Sequence, residues 1–257
     1  MAQCQNCHTE LTGPFCSNCG QSSEVERLKV GTLFNLAASH LFDLDSKIFR
    51  TFLDLISRPG EAIRDYILGK RKLYVNPVNY YLISGTLIIL LTTWFPRNFI
   101  EIADNFSPDL STMDPEKAAI VLQSQRELMQ FVIDHFRLIN MLIYLCLPLF
   151  LSVFFRYKKY GYSTVDYYVF ILFCASQINF ISAPLHIIGY YFDFTALNAF
   201  SIMVMPFYIL YAGFGLFKKL TGWMIIKLIL ATVLSFLVYT VILAGSFMFV
   251  LVGRLNP

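Results

Sequence analysis

Cys4, Cys7, Cys16 and Cys19 carry the clearest chemistry in this chain, set in the run CQNCHTELTGPFCSNCG over residues 4–20. Each CxxC pair can form a tight knuckle that turns two thiolates to one side. Two facing knuckles make the tetrahedral four-sulfur cage that zinc favours in closed structural sites. Gly13 and Pro14 supply the loop between them, and Gly20 follows the second pair, where a knuckle needs a residue tolerant of positive φ. So short a segment has almost no core, and bound metal must supply its folding energy, on the order of 10–16 kcal/mol for structural zinc. The expectation is a zinc ribbon over residues 1–22, with these four cysteines as ligands and structural Zn as cofactor. Redox-active CxxC pairs or disulfides are the competing readings. Thiolate ligation suits a reducing compartment and so a cytosolic N-terminus. His8, beside Cys7, is read either as a substitute ligand or as a solvated loop histidine.

A second group of polar residues lies inside an otherwise apolar stretch: Ser176, Gln177, Asn179, Ser182 and His186, with Pro184 among them. Asn179, Ser182 and His186 fall on one helical face. Two readings stay open: an intramembrane headgroup or proton site, or hydrogen bonding between helices. His40, Asp43 and Asp45 are weaker, because Asp45 points away from the face the other two share. Cys146 and Cys174 lie within apolar runs and read as packing residues. The chain holds no P-loop, dinucleotide fingerprint, HExxH helix or Ser/His/Asp arrangement, and no catalytic residue is assigned. A ribbon can bind nucleic acid, but residues 1–26 contain no Lys or Arg, so phosphate contacts are not expected from it.

The elements that must position these groups are mostly apolar helices. The chain is 56% hydrophobic and 14% charged, with a mean hydropathy of +0.58. Soluble domains carry roughly 25% charged residues. The fold class expected is therefore an all-α polytopic membrane protein with a small N-terminal zinc ribbon. After a linker at 23–30, residues 31–72 read as amphipathic helices lying in the membrane interface. Ser46 is expected to cap the second of these, and Pro59-Gly60 to stop it. Arg58, Arg64, Lys70, Arg71 and Lys72 are assigned to anionic lipid headgroups. Five spans follow within residues 73–257, at about 73–95, 138–155, 165–192, 197–217 and 223–252. The basic clusters at 70–72, 156–159 and 218–219 mark the cytoplasmic side. The acid-rich segment 96–134 is placed outside, with a helix expected to start at Asp114-Pro115-Glu116 and run into the second span. Tyr80, Tyr81, Trp94, Tyr190, Tyr191 and Trp223 read as an interfacial aromatic belt, and Lys227 as a residue that snorkels to the cytoplasmic face. The first thirty residues carry cysteines and charges in place of an apolar leader, so the first span is expected to direct insertion.

The N-terminal CxxC…FCxxCGQ, followed by RTFLDLISRPGEAIRDYILGKRKLYVNPVNYYL, resembles an uncharacterised bacterial family of zinc-ribbon multi-pass membrane proteins, a domain of unknown function. The resemblance covers about the first 95 residues; beyond them only the hydropathy agrees. The order of helix, Pro, helix, basic cluster and five spans is also similar to the Yip-type (Rab-interacting) membrane domain. These resemblances imply no catalytic residues and a role in membrane organisation, trafficking or lipid handling. The expectation is a non-enzymatic protein of the bacterial inner membrane, N-terminus inside and C-terminus outside. Its partners are membrane lipid and a protein docked on the ribbon, and not nucleic acid. A lipid or small-molecule permease using Gln177, Asn179, Ser182 and His186 is the alternative.

Overall fold

The computed structural model describes residues 2–24, 27–33, 45–95, 114–156, 160–192, 196–218 and 221–255. His40 and Asp43 lie outside them. Among the described residues, 30–33 are helical, and seven helices of 9 residues or more form: α1 Asp45–Ser57, α2 Pro59–Ile67, α3 Pro77–Trp94, α4 Pro115–Phe154, α5 Thr164–Tyr191, α6 Ala196–Leu216 and α7 Gly222–Leu255. No strand is present among them; two isolated antiparallel bridges occur in the N-terminal module, Gln3 with Glu10 and Phe15 with Ser22.

Local chemistry sets several of these boundaries. Asn76 accepts the amide of Val78 at 2.9 Å, with Pro77 at the first helical position, so α3 starts at a side-chain cap. The chain from Leu73 to Asn76, expected to lie in the first span, is thus the lead into that cap. Ser163 and Asp166 form a reciprocal capping box at the head of α5. Asp114-Pro115-Glu116 does open a helix, and α4 runs unbroken for 40 residues to Phe154. One expectation is corrected: α1 begins at Asp45, so Ser46 stands inside its first turn and not ahead of it. α1 does stop just before Pro59-Gly60, at Ser57, and after Arg58 alone Pro59 opens α2. Proline tolerates that position because its missing N–H is an orphan there in any case.

α5 is the organising helix, packed against α1, α2, α3, α4 and α6. Its first half, from Asp166 to Ile178, is almost wholly buried among Tyr66, Tyr80, Leu151, Phe155, Ile209 and Ala212. α7 packs on α4 and α6 through Met224, Leu228, Ala231 and Ser235, which recur at helical spacing. Its other faces are apolar too, and exposed: Ile226, Ile229, Val233, Phe236, Leu237 and Val241. Val153 and Phe207 stand 61% and 70% exposed on α4 and α6. The helix is thus apolar all round but buried on one stripe, and its other apolar faces are left uncovered by the described residues. Thr164–Tyr191 and Gly222–Ile242 are the two helices among the described residues long and apolar enough to cross a membrane. Tyr144–Phe154 and Val204–Leu216 are shorter apolar stretches.

One end of the bundle is held by hydrogen bonds to the carbonyls that helix C-termini leave unpaired. Tyr208 and Tyr211 of α6 donate to the Leu55 and Ser57 carbonyls at the end of α1, at 2.7 and 2.8 Å. In return the end of α6 is closed by Arg64 of α2 on the Gly215 carbonyl and Tyr162 on that of Leu216, each at 2.9 Å. The end of α4 receives Lys227 on Phe154 and Tyr167 on Phe155, at 3.1 and 2.9 Å. Lys227 therefore points at a helix C-terminus within the protein, where a cation is favoured.

α2 and α6 cross with almost no space between their backbones. A Cβ built on Gly60 would collide with the Ala212 carbonyl oxygen and lie 2.6 Å from the Gly215 carbonyl carbon. A Cβ on Gly215 would lie 2.9 Å from both the Gly60 Cα and the Glu61 nitrogen. Glycine is required on both sides of this contact by space, not by φ.

Candidate metal centre

The N-terminal module consists of two similar turns. Cys16, Cys19, Gly20 and Gln21 repeat the positions of Cys4, Cys7, His8 and Thr9. In the first turn His8 N donates to Cys4 O, and Cys4 N to Thr9 O, both at 2.9 Å. In the second, Gly20 N donates to Cys16 O, and Cys16 N to Gln21 O, both at 2.8 Å. These bonds fold each CxxC over itself and point both sulfurs the same way. The turn after each pair needs a left-handed residue, and φ is +62° at His8 and +69° at Gly20. His8 thus occupies the place glycine fills in the other turn, its side chain exposed to solvent.

The four sulfurs converge. All lie within 4.8 Å of one another, with Cys4 Sγ 3.6 Å from Cys19 Sγ and Cys7 Sγ 3.4 Å from Cys16 Sγ. A tetrahedron with metal–sulfur bonds of about 2.3 Å has edges of about 3.8 Å, so the cluster has the dimensions of a four-thiolate metal site. The cysteines are free thiols and not disulfides. Thr9 Oγ1 sits 3.3 Å from Cys7 Sγ, and the Thr9 hydroxyl and amide lower the Cys7 thiol to about 6. Burial pushes the Cys19 thiol the other way, to about 11. A bound cation would draw the protons from these thiols. These four residues can hold a metal ion.

The polar stripe of α5 is brought against α3, not into an open cavity. Gln177 Oε1 accepts the Tyr80 hydroxyl at 2.8 Å, and its Nε2 donates to the Phe52 carbonyl of α1 at 3.3 Å. Asn179 donates to Ser84 Oγ at 3.2 Å, and His186 Nε2 meets the Phe95 carbonyl at 3.1 Å. Ser182 is half-buried on the same helix. Tyr80 is fully buried, packed 5.0 Å from the ring of Phe180, and so leaves the expected aromatic belt for the bundle interior. We expect Tyr80→Phe to lower stability by about 1–2 kcal/mol, because it strands the Gln177 carbonyl oxygen away from water. Combining it with Gln177→Leu should recover much of that loss, read as thermal midpoints of the detergent-purified protein. Additive losses in the double variant would remove the pairing from the account.

The basic residues assigned to lipid headgroups all gather near the start of α5 and the end of α6, each against protein groups. Arg58 pairs with Asp54 at 3.0 Å, and Tyr74 donates to the same carboxylate. Arg64 holds the Gly215 carbonyl. Lys70 pairs with Asp65 at 3.2 Å. Arg71 is half-buried beside Tyr66 and Asp166, and burial lowers its pKa from the usual value. Lys72 lies alongside Gly20 of the cysteine module. Sequence reasoning missed Gln21, which joins that module to the bundle. Its Nε2 donates to the Gly69 carbonyl at 2.8 Å, and its Oε1 accepts the Lys72 amide at 3.4 Å. A glutamine just past the second cysteine pair carries no signal for such a contact.

Residues 45–89 match the family described as Protein of unknown function (DUF3667). The matched stretch comprises α1, α2, the basic turn and most of α3, which together pack on α5 and α6. No curated protein and no solved structure matches the chain.

Proposed function

We propose that this is a non-enzymatic membrane protein in which a zinc-loaded N-terminal module is carried on a five-span helical bundle. The module, residues 1–22, faces the cytosol of a bacterial cell and presents a docking surface for a protein partner. The bundle, residues 73–257, is embedded in the inner membrane, and α1 and α2 lie at its cytosolic edge against lipid headgroups. Its role is membrane organisation through protein and lipid contacts. The observation that carries this reading is the convergence of four thiols at one end of a bundle whose outer surface is apolar.

Topology supports the orientation. The ends of α4 and α6 and the starts of α5 and α7 all meet at the end where the module sits. Arg156, Lys218 and the 70–72 turn leave the bundle there as well. Clustered basic residues at one face are the cytoplasmic mark of a polytopic protein. The hydrogen bonds of Gln177, Asn179 and His186 to α1 and α3 support a packing role for the polar stripe over a transport path.

The test is accessibility. Lys117→Cys and Lys218→Cys variants are treated with a membrane-impermeant maleimide on intact spheroplasts, then after permeabilisation. Label should reach position 117 at once and position 218 only after permeabilisation. Equal labelling of both from the same side would overturn the five-span arrangement.

A further inference from the structure

We infer that filling the four-cysteine site latches the N-terminal module onto the turn at residues 69–72, so that metal occupancy decides whether that basic turn is covered. This rests on the metal reading given above.

The coupling runs through Gln21. Its main chain belongs to the metal site, since its carbonyl closes the second knuckle by accepting Cys16 N at 2.8 Å. Its side chain belongs to the bundle, gripping the Gly69 carbonyl and the Lys72 amide. Although the module is mostly solvated, Gln21 itself is buried. The turn it holds is tightly built: Gly69 adopts φ +118°, and Arg71 N donates to Gly69 O at 2.8 Å. From there the chain runs through buried Tyr74 and Val75 into the Asn76 cap of α3.

Metal decides whether this grip exists. Cys4, Cys16 and Gln21 are the buried residues of the module, so without a central ion it has no core to hold two knuckles in register. One two-point side-chain clamp cannot offset the conformational entropy of ordering the segment around it. The attachment that follows is independent of the cysteines: Leu28 and Leu33 are buried in the main core, and Arg27 donates to the Gly161 carbonyl at 2.7 Å. Loss of metal therefore frees the module up to Arg27 and uncovers the basic turn, while the bundle stays assembled.

Trypsin reads this directly, because Lys70, Arg71 and Lys72 all sit in the latched turn. The full-length protein in detergent is digested with zinc bound, after chelation and after zinc is restored, and cuts at 70–72 are mapped by mass. Chelation should speed cleavage there at least tenfold, and added zinc should reverse it. Gln21→Ala should keep one zinc per chain yet be cut at the fast rate whether or not zinc is bound. A zinc-loaded Gln21→Ala as resistant as the parent overturns the latch, as does zinc release that leaves cleavage unchanged. Failure of the parent protein to bind zinc would instead overturn the metal reading itself.

Discussion

Gly60→Ala is expected to disrupt the α2–α6 crossing and cost about 3 kcal/mol or more, the upper end of what overpacking produces. The added methyl would have to enter the backbone of α6, where the Ala212 oxygen and the Gly215 carbonyl carbon already stand. A side chain in its way can swing aside, but a helical carbonyl cannot move without its helix. Moving α6 would also pull Tyr208 and Tyr211 from the end of α1, and the Gly215 carbonyl from Arg64. Gly215→Ala should act in the same direction, since its methyl meets the Gly60 Cα at 2.9 Å. Gly85→Ala is the control, with nothing within 4 Å of its added methyl. In an open helix position alanine is favoured over glycine by up to about 1 kcal/mol. The comparison is made on thermal midpoints and monodisperse yield in detergent. If Gly60→Ala and Gly85→Ala melt together, the close crossing is wrong.

The second large effect belongs to the metal. Purified in detergent under reducing conditions, the chain should carry one zinc, and the paired variant Cys16→Ser/Cys19→Ser should carry none. Withdrawing the ion removes an interaction on the order of 10 kcal/mol from a segment with no other source of stability. Residues 2–24 should then lose their protection from hydrogen exchange, while α3 to α7 keep theirs. His8→Gly separates ligand from turn residue. His8 stands at φ +62°, where glycine is at ease, so this variant should retain the metal and tolerate heat at least as well as the parent. Loss of zinc in His8→Gly would make His8 a ligand. Absence of metal in the parent, with the cysteines oxidised, would sink both the zinc site and the cytosolic placement of the N-terminus.

Much of this architecture could be read from local pattern. Two CxxC pairs a short loop apart are a geometric statement in themselves, and the structure brings their sulfurs together. The stretch from Asp114 through the second expected span announced one helix by its Pro and acids, and α4 is continuous. What stayed hidden depends on contacts remote in sequence. Pro59-Gly60 is legible as the break that ends α1, but nothing local says that Gly60 is kept for a neighbour 155 residues on, whose carbonyl lies against it. Tyr80 looks interfacial from its place near a span end, but its direction is set by Gln177 across the bundle. The hold of Arg64 on the Gly215 carbonyl was hidden as well, because a backbone partner 151 residues away leaves no trace in sequence. His8 was legible as a solvated loop histidine, and its side chain is exposed; its left-handed backbone, matching Gly20 in the other turn, was not.

The exchange of caps between α1 and α6 has a consequence for how the chain is made. Leu55 and Ser57 are synthesised early, but the hydroxyls that close their carbonyls arrive with Tyr208 and Tyr211, some 150 residues later. The N-terminal third therefore cannot reach its final state on the ribosome while the middle of the protein is still to come. α1 and α2 must wait without these caps until the sixth helix is made, and only then settle against it. A chain that stops before that point has every early residue in place and no hydroxyls to close those carbonyls.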